Sequence, residues 1–164
     1  MWNLRGLAPE SYRLFVLAPV LGLAAFGIAA CGPSGGGTPA TYSIVFALSS
    51  TPDDTDLGNL TYRVGYDTGD FSGEGTSVVC SLVASADGET ADFTDDDSGE
   101  LTIAIDATSN ALVVGDNIVK CDFVASTQPT ADSFTITVDS AKDDFGDAVS
   151  KTLVDVVVTS TDLK

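Results

Sequence analysis

The 164-residue chain contains no histidine, one tryptophan (Trp2), one methionine and only seven lysines and arginines. Each shortage removes a class of chemistry. Without an imidazole there is no Ser-His-Asp or Cys-His pair, no histidine general base, and none of the usual zinc, copper or haem sites, which rely on a neutral ring nitrogen near pH 7. Against those few basic residues stand 24 Asp and Glu, giving a formal net charge of -17. Such a chain repels phosphate backbones instead of neutralising them, which excludes nucleic acid as a partner. The lack of tryptophan beyond Trp2 removes the large rings that stack on sugars, and this counts against a glycosidase even though two carboxylates alone can run that reaction. No enzyme is expected. Beyond the first thirty residues no segment carries a 3.6-residue apolar stripe, so a helical domain is excluded as well.

What is present begins with a segment for export. Residues 14–30 (LFVLAPVLGLAAFGIAA) are uncharged and follow a stretch carrying Arg5 and Arg13, the layout of a signal peptide. With 17 residues broken by Pro19, Gly22 and Gly27, the run falls short of the roughly 20 that span a bilayer. It ends in Ile28-Ala29-Ala30-Cys31-Gly32, which resembles the lipobox of bacterial lipoproteins. The resemblance implies cleavage before Cys31, lipidation of its thiol, and a domain held at the bacterial cell envelope by a lipid anchor alone. Gly32 after the cysteine leans towards the outer membrane or cell surface. Ordinary secretory cleavage, with Cys31 a bystander, is the alternative reading.

Residues 31–41 then comprise Cys31 and a Gly/Pro/Ser-rich tether too small to bury anything. A single folded domain is expected over 42–164. From Cys31 onward 23 acidic residues, 20 of them Asp, face five basic ones: Arg63, Lys120, Lys142, Lys151 and Lys164. Alternation with period two dominates this part. Tyr42, Ile44, Phe46 and Leu48 share one side of a run, as do Leu60, Tyr62, Val64 and Tyr66 of the next. Further strands are predicted at 78–83, 101–105, 118–125, 134–138 and 153–159, between turns rich in Asp, Gly, Ser and Thr. The fold class is therefore all-β, an antiparallel sandwich or barrel of about seven to nine strands.

Cys80 and Cys121 fall on apolar strand faces, and in an exported protein such a pair reads as a structural disulfide. A redox pair would call for CxxC spacing and an exposed thiol.

Three stretches together resemble the cohesin family of bacterial β-sandwich modules. They are Leu57-Gly58-Asn59-Leu60-Thr61-Tyr62-Arg63-Val64-Gly65-Tyr66-Asp67, then Gly99-Glu100-Leu101-Thr102-Ile103-Ala104-Ile105-Asp106, then the region from Asn117 to Val149. The last holds Phe134-Thr135-Ile136-Thr137-Val138-Asp139 and the turn Asp143-Asp144-Phe145-Gly146-Asp147. The resemblance spans about 42–160. It implies a jelly-roll β-sandwich whose family members are non-catalytic and dock dockerins through one sheet face. The present chain differs in carrying a cysteine pair and standing alone, and no binding residue is carried over from the family. The partner implied is a dockerin-like protein. A polysaccharide is the alternative, for a carbohydrate-binding or adhesive surface module.

Two further places invite a ligand. Were Ca²⁺ to bind, it would be expected at Asp95, Asp96 and Asp97, where a cation would relieve the repulsion of three consecutive carboxylates. No EF-hand frame is present, and these residues read first as solvated turn carboxylates on an acidic surface. Phe71, in the loop Gly69-Asp70-Phe71-Ser72-Gly73, is the aromatic expected to be exposed for ligand contact. Tyr42, Tyr62 and Tyr66 alternate as core residues do.

Overall fold

The computed structural model describes residues 37–83, 89–96, 98–107 and 111–164. Among them the chain forms ten strands and three short 3-10 turns. The strands are β1 (Ala40–Ser50), β2 (Leu57–Tyr66), β3 (Asp70–Phe71), β4 (Cys80–Leu82), β5 (Thr90–Asp95), β6 (Glu100–Asp106), β7 (Asn117–Ala125), β8 (Phe134–Asp143), β9 (Ala148–Val149) and β10 (Asp155–Leu163). All pair antiparallel, in two five-stranded sheets. Sheet A runs β10-β1-β7, with β3 and β4 both on the far edge of β7, and sheet B runs β5-β6-β2-β8-β9. The all-β sandwich expected from the alternation is what the chain forms.

The alternation supplies the core directly. On β2, Leu60, Tyr62 and Val64 are fully buried while Thr61, Arg63 and Gly65 between them are not. On β6, Leu101, Ile103 and Ile105 point the same way. They meet Ile44, Phe46 and Leu48 of β1 and Ile118, Cys121 and Phe123 of β7 in one apolar cluster. Phe46 of sheet A lies edge-on to Tyr62 of sheet B, ring centres 6.1 Å apart, which joins the layers.

Seven of the strands match predicted runs. The other three are β3 and β9, of two residues each, and β5, whose apolar side is only Ala91 and Phe93. The last predicted run starts late, because Lys151–Leu153 form a 3-10 turn and β10 begins at Asp155. The signal segment, Cys31 and most of the tether lie outside the described residues.

The predicted disulfide is formed. Cys80 and Cys121 stand directly opposite each other in the β4–β7 register, with Cα atoms 4.1 Å apart, and the bond closes a separation of 41 residues. It pins the short edge strand β4, which three ladder pairs alone would hold weakly.

The two long sides of the sandwich are built differently. On one, β3 and β4 of sheet A lie beside β5 of sheet B, and the Asp95 amide donates to Gly75 O across the gap (3.0 Å). Here Phe71, Phe123, Tyr66 and Phe134 pack ring against ring, with neighbouring centres 5.0 to 5.6 Å apart. Gly69 makes this packing feasible. Its φ is +85°, and a Cβ there would lie 2.5 Å from the Phe123 ring. On the other side β10 pairs only with β1, and β8 before Ala141 pairs only with β2.

Candidate functional site

The outward positions of sheet B form a broad face of short polar side chains. Alternation puts Thr90, Asp92 and Thr94 of β5 there, with Thr102, Ala104 and Asp106 of β6, Asn59 and Thr61 of β2, and Thr137, Ser140 and Lys142 of β8. Across its lower half runs a shallow depression of about 470 Å³ bordered by Thr61, Asp92, Asp106, Ser140 and Lys142.

Arg63 stands at the centre of this face and ties three strands together. Its Nε and Nη2 donate to the two carboxylate oxygens of Asp139 on β8 (2.7 and 3.0 Å), and its Nη1 donates to Glu100 Oε2 on β6 (3.0 Å). The two-pronged geometry is one that only a guanidinium supplies. Asp139 reaches it from the extra residue of a bulge, where β8 passes Val138 opposite Tyr62 and Ser140 opposite Thr61. The Arg63 hydrogen bonds hold the Asp139 carboxyl below the usual carboxylate range, and Lys151 reinforces this from the 3-10 turn after β9. Those hydrogen bonds in turn raise Arg63. The clamp thus pairs the Arg63 charge with two carboxylates instead of leaving it free.

The three residues lie far apart in the chain, at positions 63, 100 and 139. The fold lays their strands side by side as β6-β2-β8. No local motif in the sequence marks the clamp. Its one available signal was Arg63, the only arginine after residue 13, at an outward position of an alternating strand.

The outer face of sheet A is more closely covered. Ser43 and Ala47 there are 7% and 4% exposed, and the Lys164 ammonium bridges over to both oxygens of Asp122 (2.6 and 2.7 Å).

The remaining predicted site residues separate. Phe71 is not exposed but 2% accessible, because β3 pairs it directly with Phe123 inside the ring cluster. The expectation of a surface aromatic there is corrected. Asp95, the last residue of β5, follows the inward parity of Ala91 and Phe93 and is itself 2% exposed. The Tyr66 hydroxyl donates towards Asp95 Oδ1 (2.8 Å) and stands 3.0 Å from Asp70 Oδ1. Burial and these two carboxylates push the Tyr66 phenol well above its ordinary value. Asp96 turns outward instead and accepts from the Ser98 amide, the Ser98 hydroxyl and the Glu100 amide, which lowers its carboxyl. Asp97 and Cys31 lie outside the described residues. Asp95 and Asp96 thus serve different partners, and among the described residues no three His, Cys, Asp or Glu side chains are grouped to hold a metal. Tyr42 and Tyr62 are buried core residues; the Tyr62 hydroxyl has no hydrogen-bond partner among the described residues, and burial raises it. Of the described aromatic rings, Phe145, at the tip of the β8–β9 hairpin and 86% exposed, stands out into solvent.

Comparison of the chain with protein-family models, curated proteins and solved structures finds no match.

Proposed function

We propose that this chain is a non-catalytic docking module of the bacterial cell envelope, lipid-anchored through Cys31 and cohesin-like in architecture, that binds another protein through the outer face of sheet B. The observation that carries this reading is the clamped face itself. Three adjacent strands, each from a stretch resembling cohesin, are locked by Arg63 around a surface of short side chains. A face whose central charges are already paired and whose side chains have few rotamers loses little entropy on binding. Its Thr, Ser and Asn groups, with Asp92, Asp106 and Lys142 beside them, suit a polar protein surface. The alternative of a polysaccharide ligand would draw on an exposed row of aromatic rings, and the rings of this domain are mostly inside it.

Affinity capture from envelope and secreted fractions tests the proposal, using the purified chain and Thr61→Arg, which plants a long charged side chain at the middle of the face. Retention of a single protein by the wild type, lost with Thr61→Arg, is expected. If the partner is dockerin-like, a Ca²⁺ chelator releases it. Recovery of glycan in place of protein, or equal retention by the variant, contradicts the reading.

A further inference from the structure

We infer that the flank between β10 and the first half of β8 accepts an extended, lysine- or arginine-bearing segment of a partner protein as an added strand. This is a second surface, separate from the sheet B face and independent of it.

The first observation is backbone geometry. β10 is the edge of sheet A, and β8 is an edge of sheet B from Phe134 to Ser140, since β9 reaches only Ala141 and Lys142. The Lys164 amide donates to Thr41 O, which sets the phase of the β1–β10 ladder. By alternation the backbone groups of Leu163 and Thr161, and beyond the bulge at Thr159 those of Val158 and Val156, face away from β1. Gln128 Nε2 already donates to Thr161 O (2.9 Å), which confirms that side as the hydrogen-bonding side and marks where the free stretch ends.

The second is the cleft beside that stretch. It measures about 270 Å³, with Phe134, Ile136, Val156 and Val158 in its walls and Asp132 and Asp155 among its lining. Ile136, Val157 and Val158 are only half-buried. Natural edges are protected by lysine, proline, an inward charge or a covering loop. Here the bulge and Gln128 shield the later half of β10 and the short turn Ala131–Ser133 borders the cleft, while Val156-Val157-Val158 itself carries no lysine, proline or inward charge.

The third is charge. The cleft lining has two carboxylates and no basic residue, so an incoming strand with cationic side chains is attracted at its rim while its apolar alternates enter the gap. A second copy of this chain is disfavoured as occupant, because each carries a formal charge of -17 and would bring the same carboxylates to the rim.

The test uses the whole chain and a short synthetic peptide of alternating lysine and valine. A control peptide keeps the lysines but replaces the valines with proline. The expected result is binding of the first peptide alone, with slowed amide exchange at Val156 and Val158. Asp132→Lys combined with Asp155→Lys should weaken binding by about tenfold or more. Val158→Pro removes an amide that faces the open edge, so it should abolish binding while sparing the β1 ladder; if that variant does not fold, the charge reversal decides. Thr61→Arg leaves peptide binding intact. Equal binding of both peptides, no binding of the alternating one, undiminished binding by the charge-reversed chain, or a wild-type dimer abolished by Val158→Pro would each overturn the inference.

Discussion

The two flanks of this sandwich use the same materials, short β-branched strands and aspartates, to opposite ends. On the β3–β4–β5 side everything converges. The disulfide fixes β4, Phe71 and Phe123 interlock, Tyr66 reaches Asp95, and the Asp95 amide bridges to Gly75. On the β8–β10 side, half-buried Ile136 and Val158 border a cleft, with Asp132 and Asp155 turned to solvent. The difference teaches where a small acidic domain places its stability and where it leaves an apolar cleft open to solvent. A carboxylate drawn inward needs a hydrogen-bonding partner such as a phenol, whereas a carboxylate at the rim of an open cleft sets the charge of what can enter.

Mutations should separate the two sides by size of effect. The largest loss is expected at the ring cluster, where Phe71→Ala should destabilise the fold by about 3–5 kcal/mol in denaturant unfolding, through lost burial plus the cavity left behind. A loss below 1 kcal/mol would contradict the burial of this ring. Replacing both Cys80 and Cys121 by alanine should cost about 2–4 kcal/mol on the chain-entropy account of a 41-residue separation, seen as a lowered melting temperature that reductant does not lower further.

A finer contrast lies within β2, where two tyrosines share one face four residues apart. Tyr66→Phe removes a hydrogen bond to a carboxylate and should cost about 1.5–3 kcal/mol. Tyr62→Phe removes a buried hydroxyl without a partner among the described residues, and should be neutral or stabilising by about 1 kcal/mol. If the two substitutions have equal effects, the assigned hydrogen bonding is wrong.

The smallest effect belongs to the clamp on the sheet B face. Asp139 is held below its ordinary pKa by Arg63, so the pair's contribution is complete above the unfolded carboxylate range, about 3.9, and is lost as pH falls through the lowered folded value. Carboxyl titration by NMR should find Asp139 below that range in the wild type and moved up in Arg63→Gln. The pair is partly exposed, so Arg63→Gln should move the Asp139 titration while leaving global stability almost unchanged.

Much of this was legible in residue order. A strand whose apolar residues alternate over seven positions, such as β1, β2 or β7, declares itself because one face must be buried. Cys80 and Cys121 declared their pairing by lying on two such faces. What escaped were elements that exist only through their neighbours. β3 is two residues long and is a strand because β7 offers it an edge, so Phe71, set among glycines, read as a loop tip. Asp95 read as one of three like carboxylates, although its inward direction follows from sharing parity with Phe93 on a strand too weakly apolar to be noticed. The Arg63 clamp joins residues 37 and 76 positions apart, and no local pattern encodes that closure.

The docking claim is tested most directly by capturing envelope proteins on the wild-type chain beside Thr61→Arg and the doubly charge-reversed Asp132→Lys, Asp155→Lys chain. The account predicts one protein retained through the sheet B face, lost with Thr61→Arg. Retention of that protein by Thr61→Arg at wild-type strength, or recovery of glycan alone, would contradict it.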